Sequence, residues 1–177
     1  MDSTPSAHPP DAATAWYRSV ANDHGAALLR YARSLTGGDE DAARDAVQET
    51  FLRLLKADRA TVADHVLPWL FRVCRSRVID SRRKTARVVA LEPEAVEREP
   101  DADAPPAETT ETRDSLRQAR ALIDRLPERD REVLRLKFEH EFSYQEIADV
   151  LDLTAGNVGY ILSTTLKTLR QDMARSL

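Results

Sequence analysis

Seven cationic side chains crowd one short stretch of this 177-residue chain, in a pattern suited to holding phosphates. Between Trp69 and Arg87, the residues Arg72, Arg75, Arg77, Arg82, Arg83, Lys84 and Arg87 face only Asp80, a net charge of +6. A second group, Asp45, Gln48 and Glu49, recurs at helical spacing and offers an acidic and amide face that fits a basic partner helix. A third group lies on the polar side of a helix that follows a tight turn: Thr154, Asn157, Tyr160, Ser163, Thr164 and Lys167. Hydroxyls and amides placed there can bond base edges or phosphate oxygens. All of this chemistry is non-covalent.

Nothing comparable points to catalysis. His8, His24, His65 and His140 are scattered without the i, i+4 pairing of a helical metal site, and Cys74 is the single cysteine. Neither a glycine-rich phosphate loop nor a Gly-x-Ser-x-Gly elbow occurs. Asp39, Glu40 and Asp41 form a carboxylate cluster, but at a helix start they favour the helix dipole. The expectation is a non-enzyme with no metal and no cofactor. One cysteine fits a reducing cytoplasm, and neither a basic apolar leader nor a long apolar run argues for secretion or membrane insertion.

The whole chain is acidic, with a formal charge of −4, which at first opposes nucleic-acid binding. The distribution reverses that reading. From Val88 to Thr112, eight carboxylates face Arg98 alone, a net charge of −7, so the remainder of the chain sums to +3. Pro93, Pro100, Pro105 and Pro106 interrupt this stretch, which reads as an extended, self-repelling linker. It is either a solvated spacer or a polyanion that occupies a nucleic-acid channel.

The elements that must position these groups read as helices throughout. Residues 1–11 have little to bury and read as a disordered tail. A first helix over Ala13–Leu35 carries Trp16, Val20, Ala27 and Tyr31 near one face and stops at Gly37-Gly38. Asp39 caps a second, whose apolar stripe is Ala43, Val47, Phe51, Leu54 and Leu55, ending near Lys56. Asp58 to Val66 reads as a loop or broken turn, and Leu67, Leu70, Phe71, Cys74 and Val78 give a third helix one buried face with Arg72, Ser76 and Arg83 opposite.

After the linker, Leu116, Leu122, Ile123 and Leu126 precede Pro127, then Val133, Leu134, Leu136 and Phe138 follow. Ser143 to Glu146 has the form of a capping box, and the helix it opens ends near Leu151, just before a new cap at Thr154. The expected architecture is all-α. Two small helical domains, residues 12–87 and 113–177, are joined by a linker over 88–112, and the second domain is a helix-turn-helix.

Order and spacing narrow the reading. Asp45-Ala46-Val47-Gln48-Glu49-Thr50-Phe51-Leu52 resembles the polymerase-binding helix of sigma-70 family factors. Trp69 to Val73 and Val78 to Arg83 resemble the family's promoter −10 helix. Leu126 to Leu134 and Glu146-Ile147-Ala148 are similar to its −35-reading domain, and the short acidic linker in place of an intermediate domain resembles the extracytoplasmic-function (ECF) branch.

The resemblance implies partners in core RNA polymerase, through its β′ coiled coil and β subunit, in promoter DNA, and in an anti-sigma factor. It implies that Asp45, Gln48 and Glu49 meet the coiled coil, and that Arg72, Arg75, Ser76, Arg82, Arg83 and Lys84 serve a melted −10 strand. The loop from Asp58 to His65 would hold a flipped base. Ser76 stands where the family places asparagine, and Trp69 beside Pro68 reads as a core anchor or as part of the base platform.

The last helix, with Thr154, Asn157, Tyr160, Ser163, Thr164 and Lys167, would read the −35 duplex with fewer cations than the family carries there. An autonomous helix-turn-helix regulator, or an adaptor that binds polymerase or an anti-sigma factor, remains open on the residues alone.

Overall fold

The computed structural model describes residues 12–89 and 110–176, and every regular element among them is helical. The chain divides into two compact units, with the division after Glu99.

In the first unit, α1 (Ala12–Thr36) and α2 (Glu40–Lys56) are antiparallel neighbours joined by Gly37-Gly38, both at positive φ (71° and 90°). The turn is locked on both sides. The Gly38 N–H donates to the Arg33 carbonyl at 3.0 Å, and Arg33 Nε lies 2.7 Å from Glu40 Oε1. Asp39 is the cap expected of it, accepting from the Ala42 N–H at 3.0 Å.

A short helix, α3 (Arg59–Val62), and a 3-10 turn (Ala63–His65) fill the segment that read as a broken turn. They lead into α4 (Val66–Val89), where Pro68 occupies the first turn and needs no N–H partner.

The core of this unit lies where α1, α2 and α4 meet. Leu28, Tyr31, Leu54, Leu70, Phe71 and Cys74 are fully buried, and the Tyr31 and Phe71 rings stack with centroids 4.7 Å apart. Burial pushes the Cys74 thiol up to about 12, against a smaller lowering by its hydrogen bond with Thr50. Because the folded value exceeds the ordinary 9.0, the unionised thiol's contribution is complete below pH 9 and is lost as pH rises towards 12.

The second helix is phased differently from the sequence expectation. Its buried residues are Ala43, Ala46, Thr50 and Leu54, while Val47 and Phe51 are half-buried flanks and Leu55 is 56% exposed. The three small side chains let α2 settle close against its neighbours, and the Thr50 hydroxyl is satisfied by donating to the Ala46 carbonyl at 2.7 Å. Choosing the stripe by the largest residues rotated it by part of a turn.

The second unit comprises α5 (Thr110–Asp124), α6 (Glu128–Phe138), α7 (Tyr144–Leu151) and α8 (Ala155–Ser176). Val133, Leu136, Phe142, Ile147, Ala148, Val158 and Leu162 make its core. Phe138, grouped with the apolar pattern by sequence, is instead 61% exposed at the end of α6.

The expected linker over 88–112 loses both ends to helix, since α4 runs through Val89 and α5 starts at Thr110. The rest of that stretch, and the expected tail over residues 1–11, lie outside the described residues.

Gly25 sits inside α1 with nothing within 4 Å of where a Cβ would be. Gly25→Ala should therefore stabilise the N-terminal unit by about 0.5–1 kcal/mol, through higher helix propensity. Urea denaturation followed by circular dichroism would check this; a lower midpoint contradicts it.

Candidate nucleic-acid and polymerase interface

The chemistry of the first unit is set by the two sides of α4. Leu70, Phe71, Cys74 and Val78 bury one side, so the 3.6-residue period turns Arg72, Ser76 and Arg83 to solvent on the other. Arg75 flanks them half-buried. From Ser81 to Ala86 every side chain is exposed, so beyond Val78 the helix emerges from the bundle with Arg82, Arg83 and Lys84 at the surface. The six residues picked out by sequence thus fall on one helix, five exposed and one half-buried, with a single carboxylate, Asp80, among them.

On α2 the structure brings Asp45, Gln48 and Glu49 together on the side opposite Ala43, Ala46, Thr50 and Leu54. Asp45 and Gln48 are exposed; Glu49 is half-buried and is paired with Arg53 at 3.3 Å. Sequence reasoning missed two members of this surface. Leu52 (45% exposed) lies within the same row, and Leu55 borders it. The signal was available in the small residues Ala43, Ala46 and Thr50, whose spacing marks the inward face once size is set aside.

In the second unit, α7 and α8 are built by their caps. Ser143 and Glu146 complete a capping box: the Glu146 N–H donates to Ser143 Oγ at 3.2 Å, and the Ser143 N–H donates to Glu146 Oε2 at 2.8 Å. Asp152 ends α7 in the left-handed region (φ 58°), which reverses the chain within two residues. Thr154 then caps α8, accepting from the Asn157 N–H at 3.2 Å. Its hydroxyl oxygen is thereby engaged with the helix start, and its O–H remains able to donate.

Val158, Ile161, Leu162 and Thr165 bury the inner side of α8 and leave Asn157, Tyr160, Ser163, Thr164 and Lys167 exposed, with Tyr160 at 69%. The Thr164 hydroxyl donates to the Tyr160 carbonyl at 2.8 Å, so what it offers outward is an acceptor.

Sequence also missed how α7 supports this face. A Cβ on Gly159 would lie 3.4 Å from the Tyr144 ring, which shows how closely that ring approaches α8. The Lys137 ammonium lies 5.5 Å from the same ring centroid and donates to the Phe142 carbonyl at 3.1 Å, placing a cation beside the ring that packs on α8. Its remoteness in sequence from residues 154–170 concealed it.

Known proteins share this arrangement. Residues 20–88 match the family described as Sigma-70 region 2, and residues 116–169 match Sigma-70, region 4. The chain is 33% identical over 162 residues to the ECF RNA polymerase sigma factor SigL of Mycobacterium tuberculosis, covering 90% of this chain and 89% of that protein. The chain belongs to the ECF sigma-70 family.

Two further likenesses agree with this membership. SigM of Bacillus subtilis, also an ECF sigma factor, is 28% identical over 155 residues, covering 87% of this chain and 90% of that protein. The fold matches that of the sigma factor RpoE, crystallised with the anti-sigma factor NepR from Bartonella quintana. There the TM-score is 0.67 at 20% identity, over 89% of this chain and 96% of that one.

In this sigma-70 chain no described helix is long and apolar enough to cross a membrane, and no described cluster of three or more His, Cys, Asp or Glu is placed to hold a metal.

The two faces of α2 should respond differently to truncation. Leu54→Ala should cost about 3 kcal/mol of unfolding free energy by opening a cavity, whereas Leu55→Ala should stay within about 0.5 kcal/mol. Equal losses in a denaturation experiment would show that the inward face has been misassigned.

Proposed function

We propose that this chain binds core RNA polymerase and directs promoter-specific transcription initiation, acting in the cytoplasm and leaving catalysis to the polymerase. The observation that carries this is the exposed basic row along α4, set on a helix whose other side is core. Cations carried on a packed helix meet a strand's phosphates with their backbone already ordered, and each phosphate neutralised releases counterions.

The family resemblance names the residue roles, and their placement supports them. Arg72, Arg75, Arg82, Arg83 and Lys84 hold the non-template strand of the −10 element, and Ser76, exposed in the middle of the row, contacts a base or sugar edge. The loop over residues 58–65 receives an unstacked base.

Asp45, Gln48 and Glu49 meet a basic helix of the β′ coiled coil, with Leu52 and Leu55 adding apolar contact at its margin. A mixed face of this kind supplies both charge steering and a desolvated centre. The second unit docks its last helix in the −35 major groove through Asn157, Tyr160, Ser163, Thr164 and Lys167. Thr154 orients the helix start, and Lys137 adds a phosphate contact beside it. The β subunit is the further polymerase contact, and an anti-sigma factor is the regulatory partner this reading carries.

Purified chain added to core polymerase should yield run-off transcripts from specific promoters in a cellular promoter library. Absence of any promoter-directed transcript would overturn the reading.

Two variants then separate the surfaces. Arg82→Glu with Arg83→Glu should abolish open-complex formation, seen as loss of permanganate reactivity at −10, while polymerase affinity stays unchanged. Leu52→Glu with Leu55→Glu should weaken polymerase binding about tenfold or more. If the arginine variant loses polymerase binding to the same degree, the two faces are not separate functions.

A further inference from the structure

The segment that joins α2 to α4 is thinly supported. Of the side chains from Asp58 to His65, Val62 alone is buried. Its helix, α3, is four residues long, too short to hold its own shape without outside contacts. Asp58 shapes its start, accepting from the Ala60 N–H at 3.0 Å through its carboxylate and from the Thr61 hydroxyl at 2.8 Å through its carbonyl. Those bonds fix the turn internally; they do not fix where the turn sits.

Val62 ties the segment to the core, and a contact from α1 adds a second tie at its start. The Arg59 guanidinium carbon lies over the Trp16 ring, 5.1 Å from its centroid. Tyr17 meets the same indole edge-on, with centroids 5.0 Å apart and planes at 65°. Trp16 is half-buried on the long α1 and Arg59 is exposed on a four-residue helix, so the ring is the more constrained of the two partners. Arg59 is also the first residue of α3, so a constraint on its side chain is a constraint on the whole segment. Trp16 precedes residues 20–88, the part that matches the family, so no motif assigns it a task.

We propose that Trp16 is a positioning residue for promoter recognition: its ring face holds Arg59 and thereby sets residues 58–65 in the geometry that accepts an unstacked −10 base. This rests on the reading of that loop given above. Trp16 touches neither base nor phosphate, and its effect passes through Arg59. An exposed cation–ring pair of this kind shifts an equilibrium about two- to fivefold, enough to tune base discrimination without deciding whether the unit folds.

A double-substitution cycle on the assembled holoenzyme tests it. The probes are single-stranded −10 oligonucleotides, copied from the non-template strand of a promoter on which the wild type initiates, each carrying one base change. Trp16→Leu and Arg59→Gln should each reduce discrimination between matched and changed strands about two- to fivefold, and the double variant should lose no more than either one.

Trp16→Tyr and Arg59→Lys, which keep a ring and a cation, should retain most of the discrimination, and affinity for core polymerase should not change. Additive losses would mean that Arg59 contacts the strand by itself and would overturn the proposal. So would a Trp16→Leu holoenzyme that discriminates like the wild type, or conservative variants as defective as the others. A wild-type holoenzyme that initiates but shows no base preference on these strands would instead overturn the loop reading, and the positioning role with it.

Discussion

The burial of one side of α4 against α1 and α2 is the constraint on which the first unit depends. Leu70, Phe71, Cys74 and Val78 are driven from water, and a rigid helix then has no freedom over where its remaining side chains point. The backbone positions from which the arginines project are therefore set by the core, while the exposed side chains keep their own rotamer freedom. A flexible basic tail of the same charge would lose conformational entropy with every phosphate it met; here much of that ordering is supplied by folding. The net acidity of the chain does not oppose this, because electrostatic attraction at close range is governed by local charge within about a Debye length, on the order of 8–10 Å.

The second unit reaches a comparable end by different means. The exposed face of its last helix has little charge, and its geometry rests on caps: the reciprocal Ser143–Glu146 bonds, the left-handed Asp152 and the Thr154 cap set how α8 leaves α7. Tyr144, close against Gly159, further limits the angle between the two helices. The exposed side chains of α8 there are mostly hydroxyl and amide groups, whereas those of α4 include Arg72, Arg82, Arg83 and Lys84.

Most of the architecture was legible because it follows from local rules. The Gly37-Gly38 stop, the Asp39 cap, the capping box at Ser143 and the periodicity of α4 are each decided within a few residues. What was not legible depends on packing between elements. The inward face of α2 is chosen by how close Ala43, Ala46 and Thr50 let the helices come, not by which residues are most apolar; so the sequence pattern puts Leu55 on the inward stripe although it is exposed, and gives Leu52 no place. Lys137 beside Tyr144, and Arg59 over Trp16, join residues distant in sequence through side-chain contacts that no spacing encodes. The segment before α4 read as irregular because its four-residue helix is too short for a period to show.

With its thiol buried and pushed up to about 12, Cys74 is held in the protonated form near neutrality, and the thiolate is the reactive form of cysteine. As the sole cysteine, it has no intramolecular partner with which to form a disulfide. In the folded chain Cys74 is thus a packing residue, held in the low-reactivity, protonated form by the same burial that builds the core.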